Sequence, residues 1–153
     1  MLREGDTAPE FTLDDQSGQP VTLSQELENG PVVVFFYPRA LTRGCTAESC
    51  HFRDLRAEFE QVGARAIGIS ADSTDRQAEF DRRHSLGLPL LSDPDRAVAR
   101  QFGVKRPGPL FNRRATFVID TDRRILAAYS SELNMDLHAD RALDTLRARA
   151  AST

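Results

Sequence analysis

The run Val32-Val-Val-Phe-Phe-Tyr37, opened by Pro31, is the most apolar stretch of the chain and the feature that most restricts its fold. Consecutive β-branched and aromatic residues without alternation leave no polar face, so the segment reads as a strand covered on both sides. Such a strand needs helices above and below its sheet. From Thr42 to about Val62 the apolar positions Phe52, Leu55, Phe59 and Val62 recur at spacings of three and four, which predicts a long amphipathic helix stopping near Gly63.

The alternation of strand and helix continues. Ala66 to Ser70 reads as a second buried strand, Thr74 to about Arg83 as its helix, and Leu88 to Leu91 as a short strand. The turn chemistry of Asp93-Pro-Asp95 introduces a helix from Arg96 to Phe102, with Gly103 as its stop. Before the central strand, Phe11 to Leu13 and Val21 to Leu23 flank the turn-rich Asp15-Gln-Ser-Gly18 as a short hairpin, and Ser24 is placed to cap a helical turn. After it, Lys105 to Arg113 is a loop broken by Pro107, Gly108 and Pro109. Thr116 to Asp120 and Ile125 to Ser130 form an antiparallel hairpin, and a last helix from about Asp136 to Ala150 turns Leu137, Leu143 and Leu146 inward. The pattern predicts an α/β fold with a mixed central sheet and helices on both faces. No repeat or linker divides it, so residues 1–153 are expected to form a single domain.

Composition excludes several functions. The net charge is −3, and arginines are scattered among acids with Lys105 the only lysine, which predicts no nucleic-acid partner. No apolar run approaches the roughly eighteen residues needed to span a bilayer, so no membrane partner is expected either. The N-terminus carries acids and no apolar leader, pointing to the cytoplasm. In that reducing setting, two cysteines suggest redox chemistry or metal binding more than a structural bridge.

Cys45 lies eight residues past the central strand, where the long helix begins. Helix N-termini offer free N–H groups and partial positive charge, both of which favour a thiolate. Thr42, three residues earlier, shares its face if the helix has started there, and its hydroxyl is placed to bond the sulfur or an arriving oxygen. Pro38 has no N–H to offer and can shield one side of the pocket from water. A zinc site would need further ligands beyond the cysteines; His51, His84 and His138 are available but form no second paired cluster.

Pro38, Thr42 and Cys45 stand in the Pro-x-x-x-Thr-x-x-Cys spacing of the peroxiredoxins, which the chain resembles along nearly its whole length. Gly5-Asp-x-Ala-Pro-x-Phe-x-Leu13, Gly68-Ile-Ser70, Pro89-Leu-Leu-Ser-Asp93 and Thr116-Phe-Val-Ile-Asp120 carry the rest. The likeness is strongest to the bacterioferritin comigratory protein, or peroxiredoxin Q, branch. It implies a thioredoxin-like fold and a thiol-dependent peroxidase, with Cys45 peroxidatic and Cys50, five residues on, resolving through a Cys45–Cys50 disulfide. It also implies hydroperoxide substrates, recycling by thioredoxin or a glutaredoxin-like dithiol, no cofactor, no metal, and a monomer or homodimer. The pocket arginine falls on Arg114 by family position, while strand alternation turns the adjacent Arg113 the other way.

Many relatives have Pro-Gly where this chain has Arg43-Gly44, so the loop is expected to be less rigid and to gain a cation. Arg43 is an auxiliary candidate for favouring the thiolate or attracting a partner, against an exposed solvated side chain. Glu48, one turn after Cys45, either assists proton transfer or is an ordinary first-turn acid complementing the helix dipole. On an intact helix, Cα atoms five residues apart are about 8.6 Å apart. A disulfide needs less than about 7 Å, so Cys45 and Cys50 can join only if the first turns unwind. A thioredoxin-like oxidoreductase is a second reading, opposed by the absence of Cys-x-x-Cys spacing; a redox sensor is a third.

Overall fold

The computed structural model describes residues 1–152, and Thr153 lies outside the described residues. The chain opens with a hairpin of β1 (Thr12–Asp14) and β2 (Pro20–Thr22), followed by α1 (Leu23–Leu27) and the central strand β3 (Val32–Phe36). Next come α2 (Arg43–Asp54), α3 (Arg56–Gln61), β4 (Arg65–Ser70), α4 (Thr74–His84), β5 (Leu90–Ser92) and α5 (Ala97–Phe102). The hairpin β6 (Ala115–Ile119) and β7 (Ile125–Ser130) and the helix α6 (Met135–Ala151) complete it. All seven strands join one sheet in the order β2-β1-β5-β4-β3-β6-β7. β3 runs parallel to β4 and antiparallel to β6, so the sheet is mixed, as its sequence predicts.

The unbroken apolar run of β3 feeds two cores. Val33, Phe35 and Tyr37 point to one face, where Phe52, Phe59, Phe80 and the inner side of α6 cover them. Val32, Val34 and Phe36 point to the other, with Leu23, Leu27, Val98 and Phe102. Successive side chains of a strand alternate between faces, so one such run can nucleate both layers. Among the described residues, no helix is long and apolar enough to cross a membrane.

Three local expectations change. The long helix is two helices meeting at Leu55, whose φ of −94° and ψ of 9° leave helical geometry. Leu55 N–H still reaches His51 O and Phe59 N–H reaches Leu55 O, so the axis continues through the irregular turn. The apolar spacing runs through the break unchanged, so periodicity could not place it. In α6 the inward residues are His138, Ala139, Ala142, Leu143 and Leu146, while Leu137 is only half-buried. Ser24 lies inside α1 instead of capping it; Thr22 holds the N-cap position, and Glu10 accepts the Ser24 N–H at 3.0 Å.

Gly68 of β4 pairs with Phe35, and a Cβ there would lie 2.9 Å from Phe35 Cζ and 2.9 Å from Tyr37 Cε1. Both rings are fully buried and have little room to move. Gly68→Ala is expected to cost about 1–3 kcal/mol by overpacking. The measurement is a fall in urea midpoint with an unchanged m-value.

Candidate active site

The site forms where β3 ends. Tyr37 is buried and donates its hydroxyl to Gln77, Pro38 is half-buried, and the chain then leaves the sheet. Leu41 is in the left-handed region with φ +66°, a conformation costing a side-chain-bearing residue about 1–2 kcal/mol. Thr42 follows in extended conformation as the N-cap of α2, with Arg43, Gly44 and Cys45 as its first three helical residues. The Thr42 side chain caps none of them, because its hydroxyl donates to Arg39 O at 2.7 Å. The first amide taken up by the helix is that of Thr46, which donates to Thr42 O. The preceding N–H groups are thus left at the helix mouth beside a fully buried Cys45.

Arg114 meets Cys45 from the opposite chain direction. In the antiparallel β3–β6 register Phe36 faces Ala115, which brings the residue before β6 to the end of β3. Arg114 is 6% exposed; its Nη2 donates to Cys45 Sγ at 3.4 Å and its Nη1 to Glu48 Oε1 at 2.7 Å. The Arg114 backbone N–H donates to Glu132 Oε1, which also receives Arg106. Arg113 is exposed, with its N–H on Val104 O.

Glu48 is fully buried and lies in the second turn of α2, so it is not the first-turn acid that the sequence left open. Burial pushes its carboxyl up to about 8, outweighing the attraction of Arg114. Desolvation also works against the Arg114 charge, but Glu48 and Cys45 overcome it and hold the guanidinium protonated. On the far side of Glu48 lies His138, with Nδ1 3.6 Å from Oε2. His138 Nε2 lies 2.9 Å from Ser131 O, which can only accept, so Nε2 carries the proton. Thr116 then donates its hydroxyl to Nδ1 at 2.7 Å. Burial, helped by Arg114, pushes the imidazole below its usual value, consistent with this neutral form.

The structure therefore brings together Cys45, Glu48 and Arg114, with Thr42 at the N-cap. The Thr42 hydroxyl is not bonded to the sulfur; it donates to the Arg39 carbonyl instead. Cys50 is half-buried on the same helix and both cysteines are free. Arg43 is exposed. The three histidines lie in different settings: His51 bonds Asp140 at 2.7 Å, His84 packs edge-on against Phe80, and His138 is in the pocket. Sequence reasoning missed His138 and Glu132 as neighbours of the site. The available signal was the spacing of His138 with Ala142 and Leu146, which places a polar residue on the buried stripe of α6.

Residues 4–128 match the model of the AhpC/TSA family. The chain belongs to that family, the peroxiredoxins. It is 55% identical over 150 residues to a Mycobacterium tuberculosis protein named for the peroxiredoxins, covering 96% of this chain and 97% of that one. Chloroplastic peroxiredoxin Q of Sedum lineare is 38% identical over 149 residues, covering 95% and 78%. Among solved structures, peroxidoxin BcpB of M. tuberculosis superposes with a TM-score of 0.94 at 53% identity, covering 97% and 98%. A cysteine-to-serine mutant of Xylella fastidiosa peroxiredoxin Q gives 0.89 at 29%, covering 98% of each chain. The resemblance read from the motifs, including its branch, and the thioredoxin-like fold are borne out. As a peroxiredoxin the chain is a thiol-dependent peroxidase that consumes peroxides at the expense of a thiol reductant.

In this peroxiredoxin, Glu48 binds a proton in the folded state across a range where the unfolded chain does not. Its ordinary value is 4.5 and its folded value about 8, so its stabilising contribution is complete below pH 4.5 and lost as pH rises through about 8. Between about pH 5 and pH 9, wild-type stability should fall by on the order of a few kcal/mol from this group. Glu48→Gln should flatten that slope in urea titrations at each pH. Ionised Glu48 also competes with Cys45 for Arg114, so if Cys45 is the reacting thiol, peroxide reactivity should decline above about pH 8, and the decline should be absent in Glu48→Gln.

Proposed function

We propose that this peroxiredoxin works through Cys45 as peroxidatic nucleophile and Cys50 as resolving thiol, with an external dithiol of the thioredoxin type reopening the disulfide. The observation carrying the proposal is the Arg114 Nη2 to Cys45 Sγ contact of 3.4 Å beside an uncapped helix start. A guanidinium there donates to a thiolate and to the oxygens of a bound hydroperoxide. Thr42 donates its hydroxyl hydrogen bond to Arg39 O, so its oxygen presents lone pairs to the substrate O–H. The thiolate attacks the terminal peroxide oxygen; the S–O bond forms as the O–O bond breaks, leaving sulfenic acid and an alkoxide or hydroxide. That oxygen takes up a proton and departs as alcohol or water, its transient charge met by Arg114.

Resolution needs a different conformation. Both cysteines lie on an intact α2, and positions five apart on a helix are about 8.6 Å apart between Cα atoms, beyond disulfide reach. Glu48 Oε2 and Ser49 Oγ, between the cysteines, are buried with no hydrogen-bond partner. Each such group costs about 1–3 kcal/mol until water reaches it, which lowers the cost of unwinding this turn. Once unwound, Cys50 attacks the sulfenic sulfur; the S–S bond forms as the S–O bond breaks, and the departing hydroxide takes up the proton lost by the Cys50 thiol and leaves as water. Thiol–disulfide exchange with the reductant then restores both thiols. Arg43, exposed at the first helical residue, is read here as a solvated side chain at the mouth.

The reading is tested by peroxide consumption with thioredoxin, thioredoxin reductase and NADPH. Cys45→Ser should lose turnover by about 10³-fold or more, and recycling at a substantial rate by that variant would overturn the assignment. Cys50→Ser should consume one equivalent and stop as sulfenic acid, or reach sulfinic acid with excess oxidant, as intact mass will show. Arg114→Ala should lower kcat/KM by about 10²–10³-fold with Cys45 still present.

A further inference from the structure

Ala40 lies between the end of β3 and the reactive helix, is fully buried, and is held on both sides by one ion pair. Its N–H donates to Asp72 Oδ2 at 2.7 Å, and its carbonyl accepts from Arg76 Nη2 at 2.9 Å. The two side chains are themselves paired, Arg76 Nε to Asp72 Oδ1 at 3.0 Å, with the Asp72 side chain 7% exposed. Ser70, the last residue of β4, donates its hydroxyl to Asp72 Oδ2 at 2.6 Å and in turn accepts from Gln77 of α4 at 2.9 Å. The grip is thus anchored in the sheet and in the first turn of α4, neither of which carries a cysteine.

We propose that Asp72 and Arg76 are positioning residues for the peroxide step, fixing the Ala40 peptide so that Leu41 stays left-handed and Thr42 stays at the N-cap beside Cys45. The inference rests on Cys45 being the peroxidatic thiol. Neither residue is within hydrogen-bond distance of the sulfur; both act through the backbone between them and it. Leu41 supplies the need for a clamp. A leucine at φ +66° relaxes to a commoner conformation unless its neighbours are held, and Ala40 is the neighbour that is held. On the other side of Leu41 the Thr42 hydroxyl reaches back to Arg39 O, the carbonyl of the same peptide whose N–H Asp72 holds, so loosening Ala40 also loosens Thr42. The clamp further sets where unwinding stops. When the turn between Cys45 and Cys50 opens, the motion can extend back to Leu41 and no further, because Ala40 is tied to β4 and α4.

A positioning role predicts a split between the two chemical steps. In quenched-flow mass analysis of reduced protein mixed with hydrogen peroxide, Arg76→Met and Asp72→Asn should form sulfenic acid at least about tenfold more slowly than wild type. Disulfide formation, which follows release of the wound conformation, should be as fast as in wild type or faster. Arg76→Lys, which keeps a cation within reach of Asp72, should recover part of the lost rate. Oxidation within about twofold of wild type in both Arg76→Met and Asp72→Asn would overturn the proposal. Equal slowing of both steps with a lowered thermal midpoint would also overturn it, since that is the mark of general destabilisation. Cys45→Ser run alongside separates the two readings. If it turns over peroxide, the assignment of Cys45 falls; if it is inactive while the clamp variants react normally, only the clamp falls.

Discussion

Arg114 sets a single positive charge between two buried acids, the Cys45 thiol 3.4 Å from one terminal nitrogen and the Glu48 carboxyl 2.7 Å from the other. A charge this deeply placed is tolerable only when paired, and two full anions on one guanidinium would leave a net negative charge away from water. Burial resolves the competition by keeping Glu48 protonated to about pH 8, so the guanidinium is free to serve the sulfur near neutrality. His138 fits this arrangement. Its proton is directed to Ser131 O and its one lone pair accepts from Thr116, so the imidazole beside Glu48 is neutral and places no second positive charge 3.6 Å from the carboxyl oxygen.

The mechanism proposed asks the same helix to be firm in one half and yielding in the other. Phe52 stacks on Phe35 of the central strand with ring centroids 4.1 Å apart, and Phe59 of α3 continues the stack at 6.0 Å. That aromatic column ties the later turns to the sheet. The earlier turns bury Cys45, Glu48 and Ser49, a polar set with two unpartnered oxygens. Stability distributed this way favours local opening at the N-terminal end over loss of the whole helix. The proposed chemistry and the proposed opening therefore share residues, Glu48 above all.

Much of the architecture was legible because it depends on patterns within short segments. The unbroken apolar run of β3, the alternation of strand and helix, and the turn residues lead directly to a mixed sheet with two cores. The Pro38, Thr42 and Cys45 spacing marked the helix start for the same reason: all three sit on one continuous stretch. The break at Leu55 was not legible, since the apolar spacing passes through it. Nor was the burial of Glu48, because a glutamate one turn into a helix has the same local signature whether it meets solvent or a guanidinium from β6.

The sequence by itself determined the layered α/β fold, the family, and the placement of a cysteine at a helix start, all of which follow from periodicity and from residues near each other along the chain. Tertiary structure alone decided what surrounds that cysteine. Arg114 reaches it because β6 pairs antiparallel with β3, Glu48 becomes a neutral acid because α6 closes over it, and Ala40 is gripped because β4 delivers Asp72 and α4 delivers Arg76 to the same peptide. Charge and proton affinity depend on which groups exclude water together, and those groups are brought into contact only when distant segments pack.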